Sequence, residues 1–217
     1  MWSLARLRKT SPRMKSIAEA YASAAAKAEV LGMGAQNVAN VIWAAGVLGL
    51  GDEGAKELIC DSMSVARGLM ATTKMGPQDL ANTCSGLALL ASKDEQFMAL
   101  VSKDEHFMAS VSAQVSSNIA AWSRQQVCMD VSEIVWARAR LGLDSTEILD
   151  AASSHVQRDS LAVAPRWEIL VLKKALDDAR GGSRCSDFQR WVAAEMKKRG
   201  LNEDDVKEAE LGLHEWQ

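Results

Sequence analysis

At 217 residues and 48% apolar, the chain can hold one or two ordinary domains or a continuous helical core. Seven Trp dominate an otherwise sparse aromatic set, only three prolines occur, and alternating β-branched runs are missing, which excludes a sheet-based fold and points to an all-α protein. A net charge of −3 excludes strong nonspecific attraction to nucleic acid, and no DNA binding is expected.

The charge is uneven: residues 1–36 carry six Lys/Arg against two acids, and residues 37–130 carry six against ten. A polyanion is therefore steered toward the N-terminal end. Cys60, Cys84, Cys128 and Cys185 lack short paired spacing, so neither a metal site nor a disulfide framework is indicated. No apolar run approaches the roughly 20 residues a membrane-spanning helix needs.

The chain opens on Trp2-Ser-Leu-Ala-Arg6-Leu7. The stretch from Met1 to Ala18 holds Arg6, Arg8, Lys9, Arg13 and Lys15 without an acid, which suits an organellar transit peptide. The opening residues also fit the back half of a repeat, and that account is favoured. It makes the chain begin within a helix, the pattern of a fragment or a shortened reading frame. Ser11-Pro12 then caps a helix running to about Val30.

Next comes Gln36-Asn-Val-Ala-Asn40-Val-Ile-Trp43-Ala-Ala-Gly-Val-Leu-Gly49. Val38, Val41, Ile42, Ala45 and Leu48 fall at helical spacing, and Ala39, Ala44, Ala45 and Gly46 permit close helix approach. A second helix is predicted from Ala55 to Thr73. The pattern then returns as Gln78-Asp-Leu-Ala-Asn82-Thr-Cys-Ser85-Gly-Leu-Ala-Leu-Leu90 after Gly76-Pro77.

Ser92-Lys-Asp-Glu-Gln-Phe-Met-Ala-Leu-Val101 is followed at once by Ser102-Lys-Asp-Glu-His-Phe-Met-Ala-Ser-Val111. One copy of this tandem duplication is expected to be absorbed as a loop or extra turn between paired helices. The partner helix follows from Glu105 to Arg124. A third copy of the pattern, Asp130-Val-Ser-Glu133-Ile-Val-Trp136-Ala-Arg138-Ala-Arg140-Leu-Gly142, leads to a helix over 146–158 capped by Asp144 or Ser145.

Trp2 to Trp43 and Trp43 to Ser85 are both intervals of about 41 residues, a beat that marks stacked helix pairs. Ser85 to Trp136 is longer by the length of one duplicated decapeptide, and without that copy it keeps the same beat. The predicted architecture is an open α-solenoid of antiparallel helix pairs. Its array covers residues 1–160, a partial first unit followed by units near 36–77, 78–129 and 130–160. Residues 161–217 form a helical cap, with helices over 167–178 and from Ser186 to Gly200.

No catalytic constellation emerges, so no enzyme activity and no cofactor are expected. His106, His155 and His214 are isolated from one another and read as surface or cap residues. Trp2, Trp43 and Trp136 could stack on nucleotides, but their apolar neighbours make them core.

The recurring polar positions carry more. Asn40, Asn82 and Glu133 are equivalent, as are Arg6 and Arg140, and the two positions lie seven apart on one helical face. With Arg138, these form the candidate RNA-binding set. A polar residue that varies from unit to unit on one face suits reading a linear ligand. Plain solvent exposure accounts for the same pattern.

The segment from Asn37 to Gly49 resembles the core of the octotricopeptide repeat, related to repeats of the FAST-kinase-like and RAP-domain proteins. Gln78-Asp-Leu-Ala-Asn-Thr matches closely, Trp2 to Leu7 matches the back half, and Val131 to Gly142 matches loosely. The resemblance covers about residues 1–160. It implies an α-solenoid, non-catalytic, that binds single-stranded RNA in a mitochondrion or chloroplast and serves RNA processing, stability or translation. Ser85 in place of Trp, a longer period and no legible RAP domain in 167–217 depart from the pattern and leave RNA cleavage without support. The rival is a protein–protein scaffold of TPR or armadillo type, with protein partners and a cytoplasmic location.

Overall fold

A computed structural model describes residues 32–155, 161–162, 164–178 and 186–206. Every regular element is a helix, with no strand among the described residues. The chain divides into two compact units, Met1–Val111 and Ser112–Gln217. Trp2, Arg6 and the first predicted helix pair lie outside the described residues.

The first unit contains α1 (Ala35–Leu48), α2 (Glu53–Ala71), α3 (Pro77–Ala91), α4 (Glu95–Lys103) and the start of α5 (Glu105–Asn118). Helix α1 stops where Gly49 adopts φ 64°, a left-handed conformation that costs glycine nothing. The Gly49 N–H then donates to Gly46 O (3.1 Å) and the Leu50 N–H to Ala45 O (3.0 Å), the paired bonds of a Schellman end. Leu50 is buried behind it. Asp52 caps α2 by accepting the Ala55 N–H at 2.7 Å, so the short 49–52 link folds α2 back along α1.

Helix α2 makes the same closing turn without a glycine. Thr73 sits at φ 53°, and the Lys74 N–H donates to Leu69 O at 2.9 Å. A left-handed β-branched residue costs about 1–2 kcal/mol, more than the extra chain entropy of glycine. Thr73 is exposed and has no packing to lose. Thr73→Gly is therefore expected to raise stability by about 0.5–1 kcal/mol, read as a higher denaturation midpoint.

Helices α1 and α3 run side by side in the same direction. Asn82 meets Asn40, Gly86 meets Ile42 through Gly46, and Lys93 reaches Gly46 and Gly49 beyond the helix ends. The crossing has no room for a methyl group. A Cβ on Gly46 would lie 2.4 Å from Gly86 O, and one on Gly86 would lie 2.6 Å from Ile42 O. The two backbones touch directly. Trp43 flanks this contact and is 6% exposed.

The second layer follows the same direction. Lys56 near the start of α2 pairs with Asp94 at 3.2 Å, and Arg67 farther along pairs with Asp104. Both aspartates belong to the tandem duplication, and here the structure corrects the expected loop. Each copy opens its own helix. Asp94 accepts the Gln96 N–H at 2.8 Å to cap α4, and Asp104 accepts the Phe107 N–H at 3.0 Å to cap α5. Phe97, Val101, Phe107 and Val111 are all buried. The reason is local: each decapeptide carries a cap and a Phe–Val pair at i,i+4, which together make an anchored helical segment.

The second unit contains the remainder of α5, a 3-10 turn at Ile119–Ala121, α6 (Arg124–Arg140), α7 (Thr146–His155), α8 (Arg166–Asp178) and α9 (Ser186–Arg199). Helix α6 starts ahead of the predicted Asp130 because Ser123 and Gln126 form a capping box, with bonds of 3.2 and 3.0 Å. Glycine closes α6 and α9 at Gly142 and Gly200, as expected. Helices α7 and α8 pack on α6, and α9 packs on α8. Trp136 is 1% exposed inside α6.

Candidate nucleic-acid interface

In the first unit the entry ends of α1 and α3 bring together the polar residues that the repeat spacing singles out. Asn82 Nδ2 donates to Asn40 Oδ1 at 3.4 Å, a long bond between half-buried amides 42 residues apart. One turn earlier on each helix stands an exposed glutamine, Gln36 on α1 and Gln78 on α3. Each Gln lies four positions before its Asn, so each helix contributes one amide column to one edge. Gln36 and Gln78 are missing from the set expected from sequence. Their signal was there, in the repeat spacing and helical face they share with Asn40 and Asn82.

The amide edge lies at the positive ends of both helix dipoles. Gly34 and Gly76 precede the helices and have no side chain to cap them. Asp79 partly compensates at α3, accepting the Gly76 N–H at 3.0 Å. The edge can therefore offer amide donors and acceptors together, the chemistry that pairs with base edges.

In the second unit Glu133 and Arg140 lie on one face of α6, and both are half-buried. The Arg140 guanidinium lies over the Trp136 ring, 5.6 Å from its centroid. This stacking holds the cation over a buried aromatic one turn back along α6. Arg138 is 8% exposed, and its guanidinium donates to Asp144 O at 3.2 and 2.5 Å. It pins the corner between α6 and α7. The Thr146 hydroxyl and backbone N–H, bonded to the Asp144 carboxyl, keep that acid below the usual range. Arg6 lies outside the described residues, and the Asn pair belongs to a different unit from Glu133, Arg138 and Arg140.

Nothing else described assembles a reactive centre. Burial first, and Glu168 second, push the Cys128 thiol up to about 11, which suppresses its thiolate. Among the described residues no group of His, Cys, Asp and Glu is placed to hold a metal ion. No helix among them is long and apolar enough to cross a membrane. An open pocket of about 400 Å³ lies between the 49–52 link and Lys93–Asp94. Its charges serve the helices around it: Asp52 and Asp94 cap α2 and α4, and Lys93 donates to Gly46 O at 3.1 Å. Compared with protein-family models, curated proteins and solved structures, the chain matches none.

Proposed function

We propose that this chain is a non-catalytic RNA-binding array, an open α-solenoid of octotricopeptide type with a period of about 41 residues. It acts in RNA processing, stability or translation in a mitochondrion or chloroplast. The supporting observation is the meeting of Asn40 with Asn82 across α1 and α3. Parallel packing sets equivalent residues of successive copies beside each other at an accessible edge. A single strand laid across that edge meets one amide column per helix, the modular logic of helical RNA readers. Asn40 and Asn82 pair with base edges in this reading, while Arg6 and Arg140 supply positive charge.

The test uses the full chain and a pool of single-stranded RNA at two salt concentrations. Asn40→Ala with Asn82→Ala is expected to weaken binding about tenfold at both, since a base-edge contact contributes roughly 1–3 kcal/mol. Arg6→Ala with Arg140→Ala is expected to weaken binding and flatten its salt dependence. Unchanged binding in both double variants sinks the reading. The acidic pI of about 5.7 favours the second reading, a scaffold for protein partners. That reading takes first place if the parent chain binds no RNA at low salt.

A further inference from the structure

Glu168 stands in the first turn of α8 and is only 2% exposed. Its Oε1 is buried and meets no hydrogen-bond donor. Ile169, Leu170, Val171 and Leu172 follow it into the core, and Val127 and Val131 on α6 are equally buried. A carboxyl so buried favours its neutral form, because ionisation there finds little solvent and no described counter-charge to compensate it.

No ion pair is described for Glu168, and charged groups on the neighbouring helices have interactions of their own, Arg138, Arg140 and Lys174 among them. From α6, the buried Cys128 thiol is kept from ionising by burial first and by the charge of Glu168 second. Asp130 and Glu133 on the same helix have partners of their own. From α9, Arg199 reaches the start of α8 but donates to the carbonyls of Leu161 (2.8 Å), Ala162 (2.9 Å) and Ala164 (2.6 Å). Glu195 accepts from Arg199 at 2.7 Å and holds it there. On α8 itself Lys173 pairs with Asp177 and Glu203.

We infer that the packing of α8 on α6 is a proton-gated joint, closed while Glu168 is protonated and loosened when it ionises, with Cys128 uncovered by the opening. Burial holds the Glu168 carboxyl up at about 7. A folded-state value above the unfolded one means that the stabilisation is complete below the ordinary glutamate range. It is lost as pH rises through about 7. The joint is therefore tight in mild acid and loose in mild base.

Thiol trapping in the full chain reads this opening locally. Cys128 and Cys84 are both buried, one at the joint and one in the first unit, so their labelling ratio cancels the general rise of thiol reactivity with pH. Between about pH 6 and pH 8.5 the Cys128-to-Cys84 ratio is expected to rise on the order of tenfold in the parent, and the melting temperature to fall on the order of 10 °C. Glu168→Gln is expected to hold both flat, and Glu168→Leu replaces it if the amide does not fold. A parent ratio that ignores pH overturns the inference, as does a rise that persists in either variant.

Discussion

Gly86→Ala is expected to destabilise the first unit by about 3 kcal/mol or more, measured as a lower denaturation midpoint followed by Trp fluorescence. The added Cβ would lie 2.6 Å from Ile42 O and 2.7 Å from the Trp43 Cα. Those obstacles are backbone atoms, so no rotamer change relieves them, and α1 and α3 must separate along their length. Separation also loosens the packing of Trp43 and of the fully buried Ala39, Ile42, Leu80 and Leu87. Gly46→Ala strikes the same crossing from the other helix, at 2.4 Å from Gly86 O. The double variant should therefore cost less than the two single changes added together.

Gly68→Ala is the internal control. Gly68 lies in α2, is exposed, and has nothing within 4 Å of the place a methyl group would take. There the same substitution acts only through helix propensity and should stabilise by about 0.5–1 kcal/mol. Opposite signs for one chemical change in two helices isolate the crossing as the cause. Equal, small effects at both sites would show that α1 and α3 do not touch at Gly86.

Much of this crossing was legible in the sequence, because the small residues around Gly46 and the Trp beside them follow from local spacing. Which glycine it meets was not, since the partner lies two helices on and no local pattern names it. The helix ends at Gly49, Gly142 and Gly200 were readable for the same local reason, while the left-handed Thr73 was not, as its residue type argues against that conformation. The candidate site divides similarly. The spacing that aligned Asn40 with Asn82 predicts residues at one edge, and the structure brings those two amides together. Arg138 looks like surface charge beside Arg140, yet its guanidinium is spent on the Asp144 carbonyl, a backbone group that a sequence pattern cannot advertise. Glu168 hides for a related reason: an acid in the first turn of a helix is ordinarily a favourable, solvated feature.

The duplicated decapeptides offer the second large effect. Helix α4 has nine residues, too few to persist without tertiary anchoring. Its anchors are Phe97 and Val101, each 1% exposed, while Leu100 on the same helix is 40% exposed. Phe97→Ala is expected to cost about 3–5 kcal/mol, the transfer of a buried aromatic plus the cavity it leaves. With Phe97 gone, α4 has little to hold it, so the Lys56–Asp94 pair should also lose its geometry. Leu100→Ser changes the first copy to match the second at that position, where Ser110 stands, and is expected to stay within about 0.5 kcal/mol of the parent. Denaturant melts of the two variants decide whether the extra copy is an inserted spacer or core. If Phe97→Ala unfolds at the parent midpoint, the first copy contributes no packing and Phe107 alone anchors the duplication. A large loss for Phe97→Ala beside a neutral Leu100→Ser makes the duplicated segment a structural helix, packed into the core of the first unit rather than looped out of it.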